Sequence, residues 1–443
     1  MLKKRLPLLL VPLITIPLFA CGQSEESYSE SELLTAEAKM ETILDKKNPY
    51  YSIDLNYRDS YFLYDARNYS KEIAMLSFGS AISASNYDWI SHFYTTIGFD
   101  NFHASDNYGK VFDDYGATYF IAHKRINDYD LISLTFIGDG YKNEWVSNFD
   151  IGESGHHHGF DHSSDIALND LKDYISTNYS SSKLKFWLSG YSRGGGIANL
   201  SAHKILANNL FDVIEKDVFA YTFEAPAAVD KNELKNYSNI YNLHNAYDIV
   251  TYIPPTQYGL YREGKDIEIY SDKINEYMAE LNLPDANVKF IKTEKITNPT
   301  EFLNNLIKRL LSISAEGVDI STRKLFCENI EDVAKKLIRI MSLASMDELM
   351  DFASHFSDLS TEEILALLNG DNLYNSIIEA LDDAGIDYEP TDIQLIVNKI
   401  KIMLPSMVQL FFADLLTMKD NYASMIKSHF PECVYALVHH YNS

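Results

Sequence analysis

One serine, Ser192, stands between two glycines in the segment Gly190-Tyr191-Ser192-Arg193-Gly194. A strand-like run precedes this segment at 184–188, and a helical pattern follows it through Ile205. A tight turn between a strand and a helix exposes a serine hydroxyl above a sheet, and the glycines permit the bend. We therefore expect Ser192 to be a nucleophile. The backbone N–H of Arg193, at the start of the helix, would donate to a developing oxyanion. A glycine-rich turn without chemistry is the alternative.

A serine hydroxyl becomes a good nucleophile only when a base, oriented by a carboxylate, takes its proton. After such a turn the expected chain order is serine, acid, histidine. Asp248 follows the strand-like run 240–245, at the end of a strand where open sheets collect functional groups. Asp230, in a polar loop, is the reserve acid. His429 is the candidate base because His244 precedes the acid, although a lone histidine is as often structural as chemical.

A second group of polar side chains lies N-terminal to Ser192. Its members are His156, His157, His158, Asp161 and His162. These residue types suit a metal-dependent hydrolase, but their spacing matches no established metal motif. We interpret the group as a polar loop near the active site, and we expect neither a metal nor another cofactor.

The elements that position these residues are readable from the periodicity of apolar side chains. From about residue 51 to 270, short β-rich runs alternate with helical patterns, which predicts a sheet covered by helices. The predicted strands are 118–123, 131–137, 184–188, 218–223, 240–245 and 267–270, with a helix at 166–175. From about 271 to 419 the pattern is helical. Apolar stripes lie at 302–311 and 333–341, with helix starts at Asn298-Pro299 and Ser360-Thr361-Glu362-Glu363.

The amino terminus resembles an export signal. Lys3, Lys4 and Arg5 precede the apolar run Leu6–Phe19, which is too short and too proline-broken to span a membrane. The run ends in Leu18-Phe19-Ala20-Cys21-Gly22, which is similar to the bacterial lipobox. We expect residues 1–20 to be a lipoprotein signal, Cys21 to be lipidated, and 21–45 to tether the protein to the outer face of the cell membrane. An ordinary signal with an accidental cysteine is the alternative.

Composition narrows the class of partners. The chain of 443 residues carries 63 acidic and 38 basic side chains, a formal charge of −25. Such an acidic surface argues against nucleic acid and against electrostatic capture by anionic lipid. The two other cysteines, Cys327 and Cys433, allow at most one disulfide.

Several further segments are similar, in order, to the class 3 lipase family, especially its bacterial lipase-like branch. They lie at 131–139 (family "FRGT"), 144–149 ("EWxxNF"), 157–160 ("HxGF"), 221–226 ("YTFGAP"), 245–255 ("N..D.V..LPP") and 429–435 ("HxPExxY"). The resemblance supports Asp248 as acid and His429 as base. It implies an α/β-hydrolase fold with a large helical insertion before the histidine. The expected parts are a core at 46–270, a helical cap at 271–420, and a segment 421–443 that completes the core.

Three positions depart from the family pattern. Ile137 replaces the arginine and Asp139 replaces the hydroxyl residue of "RGT", and Glu224 stands where glycine is usual. Besides Arg193, the resemblance implies oxyanion donors at the Gly138-Asp139 turn. A carboxylate beside an oxyanion would oppose catalysis unless it points away or is protonated.

We therefore expect a secreted, lipid-anchored serine hydrolase of lipase or esterase type that cleaves carboxylic esters of an acyl or lipid substrate. Asp139 keeps open an alternative, in which a weakly active or inactive surface protein binds a partner through its helical cap.

Overall fold

The protein is represented by a computed structural model. It describes residues 31–441 except 43, 46, 109–115, 139–146, 180–182, 287, 289–313, 316–317, 345–347, 349–350, 353–354, 357–362, 364–365, 368–369, 371 and 403–426. The export signal, Cys21, Asp139, the 302–311 stripe, and the helix starts at 298 and 360 lie outside the described residues.

The strands are named in chain order. They are β1 (Leu34–Glu41), β2 (Tyr50–Tyr57), β3 (Asp100–Ala104), β4 (Tyr119–Ile126), β5 (Tyr129–Phe136), β6 (Lys183–Tyr191), β7 (Val218–Phe223), β8 (Val229–Asp230), β9 (Ile240–Asn245), β10 (Leu260–Tyr261), β11 (Lys265–Ile269), β12 (Ser314–Ala315) and β13 (Val318–Asp319). The helices are α1 (Lys71–Ser83), α2 (Tyr87–Thr96), α3 (His158–Asn178), α4 (Arg193–Ala207), α5 (Ile274–Glu280), α6 (Arg323–Asn329), α7 (Glu331–Leu343), α8 (Leu373–Ala384) and α9 (Pro431–His440).

The central sheet has seven strands in the order β11-β9-β7-β6-β5-β4-β3. Five of them, β11 to β5, are parallel, and β4 runs antiparallel to its two neighbours. Parallel strands are often buried on both faces, and here every residue of β7 and β9 is buried. In β6, Phe186 and Leu188 pack in one core cluster, and Trp187 packs in the cluster on the other face. This is an α/β-hydrolase architecture, with the carboxyl ends of the parallel strands at one edge.

Helices cover both faces of the sheet. The pair α3 and α4 lies on the face that receives Phe186 and Leu188, whereas α1 and α9 lie on the face that receives Trp187. The short helix α5 packs against α9 and its Ile274 and Met278 belong to the same cluster. The sheet is therefore a filled layer between two helical layers, which holds its strand ends in fixed relative positions.

Part of the predicted tether is folded, because β1 and β2 form a hairpin. Residues Leu34–Glu41, within the 21–45 segment expected to be a tether, pair with Tyr50–Tyr57 in regular antiparallel register. Alternate side chains of β1, such as Ala36, Ala38 and Met40, are buried against α1 and α2. The polar residues that flank this strand conceal its period-two pattern, and the folded body begins before residue 46.

The helical region after α5 has its own apolar cluster, formed by side chains of α7, α8 and the helical residues 390–402. Of the predicted 333–341 stripe, Val333 is buried but Leu337 is 42% exposed. Arg323 at the start of α6 joins this region to the core, because its guanidinium donates to backbone carbonyls throughout the loop 151–156. Among the described helices, none has the length and apolar character needed to cross a bilayer.

Candidate active site

Ser192 sits on a strained bend between β6 and α4. Its backbone φ of 54° and ψ of −126° lie in a region that non-glycine residues seldom adopt. The bend is held because the Ser192 N–H donates to the Phe223 carbonyl at 2.8 Å and the Gly196 N–H donates to the Ser192 carbonyl at 3.1 Å. The half-buried side chain therefore stands above the carboxyl ends of the strands, as the sequence predicts.

Two glycines allow the chain to approach itself at this bend. A Cβ built on Gly190 would lie 2.1 Å from the Gly194 carbonyl oxygen, so β6 and α4 could not meet there with any larger residue. A Cβ on Gly138 would lie 2.0 Å from the Tyr191 carbonyl oxygen and 3.5 Å from the Ser192 Cβ. The backbone of Gly138 thus runs directly beside the nucleophile position.

Asp248 lies in the turn after β9 and its side chain is fully buried. Its N–H donates to the Asn245 carbonyl at 2.9 Å, and its Oδ1 accepts the Val250 N–H at 2.8 Å, which starts a short 3₁₀ helix, Ile249–Tyr252. These bonds fix Oδ2 toward His429. The reserve acid Asp230 lies in β8 instead, where its carboxylate accepts the Asn232 N–H at 2.8 Å and caps a turn.

His429 precedes α9 and connects the other two residues. Its Nδ1 lies 2.5 Å from Asp248 Oδ2, and its Nε2 lies 2.9 Å from Ser192 Oγ. The loop is held from behind, since the Tyr191 hydroxyl donates to the His429 carbonyl and the Asn245 side-chain amide donates to the Ser428 carbonyl at 3.3 Å. An Nδ1–H donated to Asp248 leaves Nε2 as the acceptor for the serine proton.

The side chain of Arg193 is structural. It is 3% exposed, and its guanidinium donates to Ser147 Oγ at 2.9 Å and to Ser163 Oγ at 3.1 Å while lying over the Phe160 ring. Its backbone N–H, at the first position of α4, lies at the positive end of the helix dipole, next to Ser192. Of the expected oxyanion residues, Arg193 and Gly138 therefore flank the serine, and Asp139 is outside the described residues.

Glu224 is the functional candidate that sequence reasoning did not select. It follows β7 at the same sheet edge, its side chain is fully buried, and its carboxylate oxygens accept the Asn245 N–H at 2.8 and 3.1 Å. Its φ of 48° explains why glycine suits this position. Burial, and then the neighbouring Asp248, raise the pKa of the Glu224 carboxyl well above its ordinary range. The signal was present in the sequence, as a glutamate where the family pattern has glycine.

The predicted histidine group is divided among different environments. His157 is buried and stacked on Phe160 with ring centroids 3.9 Å apart, and its Nε2 lies 3.2 Å from the Asn148 carbonyl oxygen. Burial lowers the pKa of His157 to about 3. His158 pairs with Asp150 at 2.6 Å. The two rings thus anchor the start of α3 and do not converge on one point.

Within the described residues, two groups of three side chains place potential metal-binding atoms within 4.8 Å of one another. One is Glu224, Asp248 and His429, whose contacts belong to the acid and base described above. The other is His156, His203 and Glu233. The Asp230 N–H donates to His156 Nδ1 at 3.0 Å, so a neutral His156 carries its proton on Nε2, the atom 3.4 Å from Glu233. That tautomer offers no lone pair to a metal inside this group.

Two predictions about cysteines and strands are also settled by the structure. Cys327 and Cys433 are both free thiols. The strands predicted at 218–223 and 240–245 coincide with β7 and β9, and the other predicted strands overlap β4, β5, β6 and β11 with shifts of one to three residues at their ends.

Comparisons with known proteins identify one family and several solved structures to which the chain is similar. The family described as lipase (class 3) matches residues 134–258. No curated protein sequence matches the chain. The native propeptide complex of Rhizomucor miehei lipase is 21% identical over 46% of this chain and 68% of its own, with a TM-score of 0.34. The lipase of Rhizopus microsporus var. chinensis is 17% identical over 46% and 77%, with a TM-score of 0.35. Lipase II of Rhizopus niveus is 15% identical over 54% and 84%, with a TM-score of 0.34.

The segment 134–258 contains the last residues of β5, the serine bend, β7 and the turn that carries Asp248. Over these residues the chain matches the class 3 lipase family, and the match supports a serine ester hydrolase of the lipase type.

Proposed function

We propose that this protein hydrolyses carboxylic esters of acyl or lipid substrates with Ser192 as nucleophile, His429 as general base and Asp248 as the acid that orients it. The observation that supports the proposal most directly is the continuous pair of hydrogen bonds, 2.9 Å from Ser192 to His429 and 2.5 Å from His429 to Asp248. His429 is 181 residues from Asp248 and 237 residues from Ser192 along the chain, yet it contacts both side chains. Such contacts between distant residues are specified by the fold.

The chemistry follows from the positions of the protons. Ser192 Oγ attacks the ester carbonyl carbon while its proton passes to His429 Nε2, and the resulting imidazolium is stabilised by Asp248. Collapse of the tetrahedral intermediate breaks the bond to the alcohol, which leaves with the proton from Nε2. Water then repeats the sequence on the acyl-enzyme, with His429 again taking a proton, and releases the carboxylic acid.

The negative oxygen of the intermediate requires fixed donors. The Arg193 N–H at the start of α4 is one, supported by the helix dipole. The second source is proposed from the sequence resemblance, the N–H groups of Gly138 and Asp139; of these two residues the structure describes Gly138, which lies beside the Ser192 Cβ. The Asp139 carboxyl is assigned no part in this step.

The helical segment 271–420 is proposed to be a cap that shapes access of the acyl chain. Arg323 supports this proposal, since it ties the segment to the loop 151–156, which leads directly into α3 beside the site. An acyl chain needs an apolar channel, and a cap above the sheet edge would line one. Deleting residues 298–388 should then change the preferred acyl length and leave a folded core, whereas loss of all folded protein would contradict a separate cap.

Anchorage through Cys21 on the outer face of a bacterial membrane completes the proposal. Its support is the order of cationic start, apolar run, small residue and cysteine in residues 3–21. Metabolic labelling with an alkyne fatty acid should mark the wild-type chain and not a Cys21→Ser variant. Equal labelling of both would place any acyl group elsewhere.

The proposed activity is tested with p-nitrophenyl esters of increasing acyl length, using the mature chain purified in detergent. We expect hydrolysis by the wild type and a loss of at least about 10³-fold in kcat/KM for Ser192→Ala. Ser176→Ala, an exposed serine of α3, is the matched control and should be unchanged. Hydrolysis that survives in Ser192→Ala, or a folded wild type inactive on every ester, would refute the proposal and favour a binding protein.

A further inference from the structure

Two buried carboxyl groups lie side by side behind His429. Glu224 follows β7 and Asp248 follows β9, and these strands are neighbours in the sheet. Both side chains are fully buried. With His429 they place potential ligand atoms within 4.8 Å of one another. Two carboxylates this close in a dry site cannot both be ionised, so one of them retains a proton.

The hydrogen-bond donors decide which carboxyl is charged. Asp248 receives the His429 Nδ1–H at 2.5 Å and the Val250 N–H at 2.8 Å, one donor on each oxygen. Among the described residues, the donor bonded to Glu224 is the Asn245 N–H, which its two oxygens share. Donors stabilise the anionic form of a carboxyl group, so the negative charge rests on Asp248 and the proton on Glu224.

The other groups around Glu224 do not reverse this assignment. The titratable or charged side chains that interact with it are Asp248, Arg262, Tyr191 and Cys433, with His429 beyond Asp248. Arg262 is the cation among them. Its guanidinium is engaged by Asp266 at 2.8 and 2.9 Å and by the carbonyl oxygens of Ala225 and Thr251, and its charge is therefore largely balanced.

We propose that Glu224 is a positioning residue of this site, a neutral carboxylic acid that donates a hydrogen bond to Asp248 and holds it toward His429 Nδ1. The inference rests on the proposed ester hydrolysis. It adds Glu224 to the site as a fourth side chain, on the far side of Asp248 from His429. Asp248 then has partners on both sides, which fixes the imidazole tautomer that can accept the serine proton. A single net negative charge faces the imidazole, rather than two.

Two substitutions separate this role from simple packing. Glu224→Gln keeps the shape, the neutral charge and an N–H donor, and its carbonyl can still accept the Asn245 N–H. Glu224→Gly removes the donor while suiting the left-handed backbone, φ 48°, so it does not add conformational strain. We expect Glu224→Gly to lower kcat on the order of 10- to 100-fold, the effect of losing a hydrogen bond to a charged group, with KM nearly constant. Glu224→Gln should restore most of that loss.

The pH profile of kcat/KM distinguishes a neutral from an ionised Glu224. If Glu224 is neutral, the midpoint of the acidic limb in Glu224→Gln matches the wild type. An ionised Glu224 would stabilise the protonated base, so its replacement by glutamine would move that midpoint down by on the order of one pH unit. Such a shift, or a Glu224→Gly variant with unchanged kcat, would overturn the inference.

A measurement without turnover keeps the inference separate from the proposed function. The folded state binds the Glu224 proton more tightly than the unfolded state, so wild-type stability should fall relative to Glu224→Gln as pH rises above the ordinary glutamate pKa of about 4.3. A stability difference that is constant with pH would refute a protonated Glu224 even in an inactive protein. Inactivity of a folded wild type, with the pH dependence intact, would instead count against ester hydrolysis.

Discussion

Replacing Asp248 by asparagine tests the tautomer of His429. In the wild type, Asp248 Oδ1 accepts the Val250 N–H at 2.8 Å, and Oδ2 accepts the His429 Nδ1–H at 2.5 Å. An asparagine keeps its carbonyl oxygen on the Val250 N–H, so its NH₂ group faces Nδ1. Nδ1 must then accept, the imidazole proton moves to Nε2, and Nε2 can no longer take the proton of Ser192.

The size of the effect follows from the alternative that the variant must adopt to react. Turning the amide over would place NH₂ against the Val250 N–H and leave two buried donors unpaired, at about 1–3 kcal/mol each. Two such donors cost about 2–6 kcal/mol together, and about 1.4 kcal/mol is a factor of ten in rate, so we expect kcat/KM to fall by about 30- to 10⁴-fold. The assay is hydrolysis of the best p-nitrophenyl ester near neutral pH.

Asp230→Asn is the matched control, because Asp230 was the reserve acid and its carboxylate caps the turn that follows β8. The control should retain activity within about twofold, and both variants should unfold cooperatively. A loss smaller than about 10-fold in Asp248→Asn, in a folded protein, would show that Asp248 does not set the tautomer and would refute this reasoning.

Three other substitutions test the supports of the site. Arg323→Ala should lower the free energy of unfolding, measured in urea, by about 3–5 kcal/mol, because the backbone carbonyls of loop 151–156 lose a buried charged donor. Arg323→Lys should recover part of the lost stability. A change below about 1 kcal/mol in Arg323→Ala would contradict the role of this contact. His157 is held neutral because burial lowers its pKa to about 3. The free energy of unfolding of the wild type should therefore fall, relative to His157→Gln, by about 1.4 kcal/mol per pH unit below pH 6.5. Parallel curves of unfolding free energy against pH for the two proteins would refute the burial of a neutral ring. Gly138→Ala places a methyl 2.0 Å from the Tyr191 carbonyl oxygen and should abolish ester hydrolysis in a folded or partly destabilised protein, whereas full activity would mean that Gly138 is not beside the serine.

The inner parallel strands of the central sheet were predictable because they are buried on both faces, whereas the edge strand β3, which contains no buried residue, was not predicted. In β7 and β9 every residue is buried, and both runs are rich in aliphatic and aromatic side chains, although β9 also buries Asn242 and His244. The ends of β5 and β11 were less well predicted, since polar residues such as Lys265 and Asp266 continue the strand through backbone pairing alone. The hairpin strand β1 was assigned to a tether because its exposed face is polar and its buried residues are partly alanine.

The candidate acid and base of the site, Asp248 and His429, could be chosen from chain order and motif, but their neighbours in the fold could not. Ser192, Asp248 and His429 are marked by a glycine-flanked turn, a strand end and a short motif. The burial of Glu224 against Asp248 depends on the neighbouring positions of β7 and β9 in the sheet, an order that local sequence does not encode. The same holds for Arg323, whose helix lies about 170 residues from the loop it binds.

The central claim is an activated Ser192, and the most direct measurement is labelling of the purified mature chain with a fluorophosphonate probe beside Ser192→Ala and His429→Ala. The probe forms a covalent bond to a serine only when a base has increased its nucleophilicity. We expect stoichiometric labelling of the wild type, none of Ser192→Ala, and very slow labelling of His429→Ala. A folded wild type that does not react, or a label that persists in Ser192→Ala, would contradict an activated Ser192.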